Sequence, residues 1–250
     1  MDPRELRVRP LAGMPEVAEG DPLGELIARS GSPADGEVVV ISQKVVSKAE
    51  GRLRRLQGVQ PGERARELAE ATGKDPALVE LVLGESRDIV RAEPGVLITE
   101  TNDGWICANA GIDSSNLPEE GWVALLPEDA DASARRIREQ VREACGASAA
   151  VVIADSFGRP WRLGQSEVAI GCAGLVPLDD WRGQADSHGR ELAATLISIA
   201  DEVAAAADLV RGKDSGVPGA VVAGLAAYVT DDDGPGAKAQ LRPRGEDLFR

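Results

Sequence analysis

The segment Ala149–Ala154 constrains the fold most, because this unbroken run of small aliphatic residues predicts a buried β-strand. Val38–Ser42 has the same character and predicts a second buried strand. Hydrophobic residues make up 43% of the chain but aromatic residues only 3%, so the core must consist of aliphatic side chains. Together with the Ala-rich runs and 28 glycines, these segments indicate a mixed α and β protein.

Helices and strands alternate along the chain without a regular βαβ rhythm, which favours an α+β fold over a doubly wound sheet. We expect a single domain over residues 1–250 and leave open a division into two subdomains. The residues after Asp231 are rich in glycine, proline and charge and predict a loose tail. The predicted helices are Pro22–Arg29 with Asp21 as N-cap, Pro61–Ala71, Pro76–Leu83, Asp131–Cys145 and Glu191–Val210. The other predicted strands are Leu6–Arg9, Val96–Thr99, Trp105–Ala108, Trp122–Leu126, Glu167–Cys172 and Ala220–Val222.

Charge and composition exclude several functional classes. The formal net charge of −14 argues against a nucleic-acid binder and against attachment to an anionic membrane. Three well-separated cysteines and one histidine exclude a disulfide framework and cysteine or multi-histidine metal sites. The N-terminus has no apolar signal region, and the longest apolar stretch, Val217–Val229, is too short to span a bilayer. These features predict a soluble, cytoplasmic protein.

The segment Asp155–Arg162 is the first candidate site, because it directly follows a buried strand. Asp155 and the Ser156 hydroxyl are hard oxygen ligands suited to Mg²⁺ or Mn²⁺. Arg159 and Arg162 are suited to binding phosphate or carboxylate. The same residue types are equally typical of an ordinary surface turn.

Two further segments also follow predicted strands. Asn109–Asn116 contributes Asp113, which would complete a pair of carboxylates with Asp155, although an Asx-type turn is an alternative. Gln43–Lys48 contributes Lys48, which would neutralise phosphate charge, although a solvated basic surface is the alternative. The segment Gly183–Arg190 offers backbone amides and His188, and an ordinary entry into a helix would explain it as well.

Familiar nucleotide-binding motifs are absent from the sequence: it contains neither G-x-x-x-x-G-K-[ST] nor G-x-G-x-x-G after a strand. Kinase signatures are absent too. From the residues alone, the chain is therefore interpreted as an acidic enzyme that handles phosphate and magnesium in a less familiar fold.

Eight segments in register resemble the coenzyme F420-0:γ-glutamyl ligase family. Each is weak alone, but together they extend over most of the chain. They are Gly13-Met14-Pro15 with Gly20-Asp21, Val45–Arg52, Ile98–Glu100, Asn109–Asn116, Asp155–Arg162 with Gly164-Gln165, Ala169–Gly171, His188–Leu192 and Ala200–Ala207.

This resemblance implies a reaction in which GTP phosphorylates the terminal carboxylate of F420-0. The α-amino group of L-glutamate then attacks the acyl phosphate, and further γ-linked glutamates follow. The family also implies a divalent cation, Mg²⁺ or Mn²⁺, and a monovalent one, K⁺. Alternatives are an amide ligase with another acidic acceptor and a non-catalytic F420-binding or scaffold protein.

The resemblance also implies roles for individual residues. Asp113 and Asp155 match metal carboxylates and Ser156 a second-metal hydroxyl, with Arg159 in a catalytic role. Lys213 departs from the family, because some members carry an acidic metal ligand there. The positions that match nucleotide contacts are Met14, Pro15, Glu16, Val17, Gln43, Lys48, Asn116, Arg211, Gly212, Lys213, Asp214, Ser215, Gly216 and Val217.

The family fold implied is an irregular α+β arrangement of two intertwined subdomains that forms an intertwined homodimer. Some relatives carry a flavin-binding redox domain after the ligase domain. Because this chain ends at Arg250, we expect that domain to be absent.

Overall fold

The computed structural model describes residues 5–117, 119–212 and 214–249. It shows helices together with several separate sheets, which confirms the predicted α+β class. The strands are β1 (Arg7–Pro10), β2 (Val38–Ser42), β3 (Leu53–Arg55), β4 (Ser86–Glu93), β5 (Val96–Thr101), β6 (Ile106–Ala108), β7 (Trp122–Ala124), β8 (Ala150–Arg159), β9 (Arg162–Ala173), β10 (Leu178–Asp180), β11 (Leu196–Ser198) and β12 (Gly219–Ala223). The helices are α1 (Leu23–Gly31), α2 (Gln43–Ala49), α3 (Glu63–Thr72), α4 (Pro76–Gly84), α5 (Ala130–Cys145) and α6 (Ile199–Asp208).

The two aliphatic runs form the centre of a five-stranded sheet with the order β1-β12-β2-β8-β9. Strands β2 and β8 pair in parallel, and the other neighbouring strands pair antiparallel. Val38–Ile41 and Ala150–Ala154 are fully buried, because helices cover the sheet and leave no solvated face at its centre. The main hydrophobic core lies around this sheet.

A second, smaller core lies beside the first. It joins α3 and α4 to the sheet β4-β5-β6 and to the β3-β7 pair, with Leu68, Val82, Leu97 and Val123 among its buried residues. Ile112 packs in this core, so the next residue, Asp113, is held at its border. The smaller core therefore positions one of the predicted site residues.

Two predictions from the sequence were wrong in the second half of the chain: the extent of one helix and the loose tail. The predicted helix Glu191–Val210 forms a helix only over Ile199–Asp208. The three residues just before it, Leu196–Ser198, form β11, which pairs antiparallel with β10. The Ser198 hydroxyl accepts the Asp201 N–H as an N-cap. The pairing of β11 with β10 thus prevents α6 from beginning earlier, although the alanine content favours a longer helix.

The predicted loose tail was also wrong for the described residues. The Asp131 carboxylate, buried at the start of α5, accepts the N–H of Ala237 at 2.7 Å and that of Cys172 at 2.8 Å. The Ala237 side chain is fully buried. Buried hydrogen bonds therefore hold the tail against β9 and α5, although its composition is polar.

Smaller differences concern element boundaries. Helix α1 begins after Pro22, and the Asp21 carboxylate accepts the Ala18 N–H instead of capping the helix. Strand β4 was not predicted, because its charged residues hide any alternation. In the described part of the chain no helix is long and apolar enough to cross a membrane.

Candidate active site

Several chain segments meet at one edge of the central sheet. The parallel pairing of β2 with β8 ends there, at Ser42 and Ala154, while β8 continues to Arg159 in its hairpin with β9. The Ser42 N–H donates to the Pro218 carbonyl at 2.8 Å, which brings the loop before β12 to the same edge. Ligands commonly bind at the carboxyl ends of parallel strands, so this edge is a candidate ligand-binding site.

A cavity of about 380 Å³ lies at this edge. Its walls are formed by the segment before α1, the segment after β2, the β8–β9 hairpin and the loop before β12, and the turn that carries Asp113 adds a further wall from the smaller core. The described residues that line it are Met14, Pro15, Glu16, Val17, Ser42, Gln43, Lys44, Val45, Lys48, Asp113, Ser115, Asn116, Asp155, Ser156, Glu167, Asp208, Arg211, Gly212, Asp214, Gly216, Val217 and Pro218.

Most of the predicted site residues are brought together in this cavity. Of the predicted residues that the structure describes, Arg159 and Ser215 are not among the lining residues. The Ser215 hydroxyl donates to the Gly212 carbonyl at 2.7 Å and shapes the loop from within. Lys213 lies outside the described residues, so its predicted role at a second metal site stays a prediction.

Arg159 lies at the turn between β8 and β9. Its guanidinium donates to the carbonyls of Leu163 at 2.6 Å and Gly164 at 3.2 Å, and its side chain is exposed. In this position it stabilises the hairpin turn, and its catalytic role stays a prediction.

Asp113 is reached through an unusual turn. Asn109, Ala110 and Gly111 have φ values of 52°, 54° and 72°, all in the left-handed region. A non-glycine residue there costs about 1 kcal/mol or more, and such conformations cluster at functional sites. Backbone hydrogen bonds with Ala124, at 2.8 and 3.1 Å, then hold Asp113 at the cavity wall.

Lys44 is the direct partner of Asp113. Its ammonium lies 2.7 Å from Asp113 Oδ2 and donates to the Ser115 hydroxyl at 2.8 Å. Burial alone would raise the pKa of Asp113, but the hydrogen bonds from Lys44 and Ser115 outweigh it and lower that pKa below its ordinary value. Asp113 is therefore a carboxylate at neutral pH.

Asp155 has the opposite electrostatic environment. Burial and the charge of Glu167, with a smaller effect of Asp113, raise the pKa of Asp155 to about 7. Asp155 and Asp113 are thus electrostatically coupled within one cavity. The adjoining Ser156 hydroxyl donates to Glu167, which faces it across the β8–β9 pairing.

The remaining basic groups of the cavity are also paired. Lys48 on α2 binds the Glu16 carboxylate, and Gln43, almost fully buried at the start of α2, accepts the Ser47 hydroxyl at 2.9 Å. Arg211, at the start of the loop before β12, lies 3.0 Å from Glu167 and 3.3 Å from Asp208. All three basic side chains of the described lining thus contact carboxylates.

Six carboxylates and three basic groups line the described cavity, a formal excess of three negative charges. An anionic ligand would be repelled from it unless divalent cations entered as well. No group of three or more His, Cys, Asp or Glu side chains in the described segments is arranged as a metal cage. The oxygens of Asp113, Asp155 and Ser156 nevertheless fit Mg²⁺, which typically takes one or two protein carboxylates and completes its shell with water and phosphate.

Sequence reasoning missed several lining residues, above all Glu167 and Asp208 as site residues and Lys44 as the partner of Asp113. The sequence predicts Glu167 only as the first residue of a strand. Its signal lies in the hairpin register, which places it opposite Ser156. That register depends on how β8 and β9 pair, and the local pattern of residues does not reveal it.

Comparisons with known proteins agree with this arrangement. A sequence model of the F420-0:gamma-glutamyl ligase family matches residues 13–224, a range that includes every lining residue named above. The coenzyme F420:L-glutamate ligase of Methanopyrus kandleri is 45% identical over 247 residues, covering 98% of each chain. The enzyme of the same name from Methanothermobacter thermautotrophicus is 45% identical over 95% of this chain and 96% of its own length. That of Archaeoglobus fulgidus is 41% identical over 98% of this chain and 96% of its own length. The chain therefore belongs to the F420-0:γ-glutamyl ligase family.

Proposed function

We propose that this protein is a GTP-dependent coenzyme F420-0:L-glutamate ligase. The observation that carries the proposal is the cavity itself. Two separately positioned aspartates, Asp113 and Asp155, face the same space as Lys44, Lys48 and Arg211. Carboxylates that hold a divalent cation beside basic groups that bind phosphate are what phosphoryl transfer from a nucleotide requires.

The proposed reaction has two steps. In the first, the terminal carboxylate of F420-0 attacks the γ-phosphorus of GTP, the bond to the β-phosphate oxygen breaks, and an acyl phosphate and GDP form. In the second, the α-amino group of L-glutamate attacks the acyl carbon, an amide bond forms, and inorganic phosphate leaves with the bonding electrons. Both steps need close positioning of charged reactants, which is the main contribution of the cavity.

Asp113, Asp155 and Ser156 would hold Mg²⁺ or Mn²⁺ in this proposal. Bound there, the cation would offset the charge of the phosphates and of the lining carboxylates. Asp113 would then share its charge between the cation and Lys44, and the Lys44 ammonium beside it would be placed to bind a phosphate oxygen.

The nucleotide would lie along the remaining walls. Gln43 and Lys48 approach it from α2, Asn116 from the Asp113 turn, and Met14–Val17 from the loop before α1. The Arg211–Val217 loop, in which Gly212 and Gly216 line the cavity, would bring backbone close to the phosphates. K⁺ as a further ion and a homodimeric assembly are part of the same proposal.

The direct test incubates purified protein with F420-0, GTP, Mn²⁺, K⁺ and L-glutamate, and measures product mass. We expect a mass gain of one or more glutamate residues, together with GDP and phosphate in equal amounts. No glutamate-dependent product from F420-0 of confirmed quality would refute the proposal.

Two controls sharpen this test. Omitting Mn²⁺ or replacing Asp155 by asparagine should lower the rate by orders of magnitude, because both remove the charge compensation of the phosphates. GTP-dependent phosphate release with a different carboxylic acid, but not with F420-0, would identify the protein as an amide ligase for another acceptor.

A further inference from the structure

Glu167 connects two walls of the cavity and has no role in the function proposed above. It lies on β9 opposite Ser156, and its residue is only 6% exposed. One carboxylate oxygen accepts the Ser156 hydroxyl hydrogen, and the other lies 3.0 Å from the Arg211 guanidinium. A single side chain thus contacts a proposed metal ligand and the start of the proposed nucleotide loop.

A buried carboxylate at this position is costly in the metal-free protein. Burying an ion pair such as Glu167–Arg211 often stabilises a fold no more than apolar residues of similar size. Glu167 also places its negative charge beside Asp155, which it repels. General stability therefore does not explain why a carboxylate rather than an apolar side chain lies here.

The contact with Ser156 has a defined chemical effect. A serine hydroxyl has one hydrogen and two lone pairs. Because its hydrogen points at Glu167, its lone pairs are directed away from Glu167. A hydroxyl in this orientation is a ligand for a cation rather than a donor to a phosphate. Partners of this kind orient metal ligands in many proteins.

The contact with Arg211 acts on the neighbouring loop. Besides Glu167, the Arg211 guanidinium lies 3.3 Å from Asp208 at the end of α6 and 3.4 Å from the Pro218 carbonyl before β12. Its side chain is only 7% exposed. Arg211 therefore contacts both ends of the loop that lines the cavity. Its ion pair with Glu167 connects this loop to the central sheet.

We propose that Glu167 is a positioning residue, which directs the Ser156 lone pairs toward a divalent cation and holds the Arg211 loop in its nucleotide-binding conformation. The inference rests on the proposed function for the identity of the ligands. It concerns a residue that touches neither substrate nor cation, and its effect passes through Ser156 and Arg211.

The experiment titrates Mn²⁺ into the full chain in the presence of GDP and follows free Mn²⁺ by electron paramagnetic resonance. Glu167→Gln keeps the shape of the side chain, but its amide nitrogen donates a hydrogen bond where a carboxylate oxygen accepted one. We expect the Mn²⁺ dissociation constant to rise about 10- to 100-fold and the affinity for GDP to fall. If Glu167→Gln does not fold, Glu167→Asp replaces it, because a shorter side chain does not span both partners.

The matched control is Glu100→Gln. Glu100 is also a buried carboxylate paired with an arginine, Arg87, but it lies in the β4-β5-β6 sheet away from the cavity lining. This variant should bind Mn²⁺ like the wild type even where its melting temperature falls. A purely structural role of Glu167 would instead lower the melting temperature and leave the Mn²⁺ titration unchanged.

A double-mutant cycle tests the route through Ser156. In a Ser156→Ala background, Glu167→Gln should change the Mn²⁺ affinity by less than about 3-fold, since the hydroxyl to be oriented is already absent. Full additivity of the two substitutions, or a Glu167→Gln titration equal to the wild type, would overturn the inference. A wild type that binds Mn²⁺ and GDP but adds no glutamate would refute the proposed function alone, whereas one that binds neither would overturn both.

Discussion

At the scale of single residues, the two aspartates of the cavity, Asp113 and Asp155, lie in opposite electrostatic environments. Asp113 has a lysine and a serine as partners, which lower its pKa despite burial. Asp155 is half-buried beside other carboxylates, and its pKa rises to about 7. A cation between the two would therefore meet one ready ligand and one that must first lose a proton near neutral pH. Strongly shifted pKa values in a cleft are typical of functional sites.

Replacing Asp155 by asparagine should stabilise the metal-free protein at alkaline pH. In the wild type the folded pKa of Asp155 is about 7 against 3.8 unfolded, so its contribution to stability is present at low pH and lost as the pH rises from about 4 to 7. The Asp155→Asn variant does not lose this contribution. Its free energy of unfolding should therefore exceed that of the wild type by about 1–3 kcal/mol at pH 8 and by less at pH 5. Urea unfolding without metal at both pH values measures the difference.

Asp231→Asn serves as the control for this prediction, because Asp231 is exposed and lies outside the cavity lining. It should leave the free energy of unfolding within about 0.5 kcal/mol of the wild type. Adding Mn²⁺ and GDP should reverse the order and make the wild type more stable than Asp155→Asn. Equal stabilisation of both by Mn²⁺ would argue against Asp155 as a metal ligand.

Replacing Lys44 by methionine should weaken nucleotide binding. The change removes one of the three basic groups of the described lining and leaves Asp113 with fewer partners. We expect a loss of GDP affinity of about 10-fold or more, as for a charged hydrogen bond of about 1.5–3 kcal/mol. Calorimetric titration with GDP and Mg²⁺ measures it, with Lys74→Met, which lies outside the cavity, as control. Unchanged GDP affinity would exclude a phosphate contact of Lys44.

At the scale of elements, close packing of α5 against β9 determines the frame of the site. A Cβ atom on Gly171 would lie 2.4 Å from the backbone carbon and oxygen of Ala130 at the start of α5. The helix thus approaches the strand more closely than any side chain would allow. Glu167 and the buried Cys172 lie on the same strand, so a shift of α5 would reach the cavity.

Gly171→Ala should therefore destabilise the protein by about 1–3 kcal/mol, because the backbone of α5 must move. Gly84→Ala is the matched control: it lies at the end of α4, and an added Cβ there meets no atom within 4 Å. Since alanine favours helix over glycine, this variant should be neutral or more stable by about 0.5 kcal/mol. Thermal unfolding of both variants compares them, and equal effects would contradict the packing argument.

Local patterns predicted many of these elements, because buried runs and turn residues are recognisable within short segments of the sequence. The runs Val38–Ser42 and Ala150–Ala154 form buried strands as expected, and Gly73 separates α3 from α4 with a φ of 69°. The hairpin extension of β8 to Arg159 was not predicted. It depends on pairing with β9, since its own residues are polar and lack a strand pattern.

At the scale of the whole molecule, the β8–β9 hairpin extends apolar side chains into solvent. Leu163 is 97% exposed and Trp161 77% exposed, and the Trp161 ring lies 5.6 Å from the ring of Phe249, itself 69% exposed. Exposed apolar groups that cluster in this way commonly mark a protein interface. The homodimer suggested by the family resemblance would cover them.

We expect sedimentation velocity to show a dimer for the wild type. Leu163→Asp places a charge in the apolar cluster and should weaken association at least 10-fold. Leu209→Asp makes the same substitution at an 88% exposed residue outside the hairpin and should not weaken association. A wild type that stays monomeric at tens of micromolar would contradict the proposed assembly.

The sequence by itself determined the residue chemistry and the local order of the chain. Asp155 and Ser156 directly follow the aliphatic run Ala149–Ala154, Asp113 lies in a segment after a predicted strand, and the eight segments in register indicated the family that residues 13–224 match. These are properties of short segments, since burial, turn formation and motif spacing depend on neighbours along the chain.

Only the tertiary structure decided which side chains meet. The strand order β1-β12-β2-β8-β9 places four distant segments at one edge, and the smaller core adds the turn that carries Asp113. The hairpin register brings Glu167 to Ser156, and Glu167 also pairs with Arg211. The raised pKa of Asp155 exists only because this packing buries it among other carboxylates. Strand pairing and charge interactions act through space between residues far apart in the chain, which is why the sequence pattern alone did not contain them.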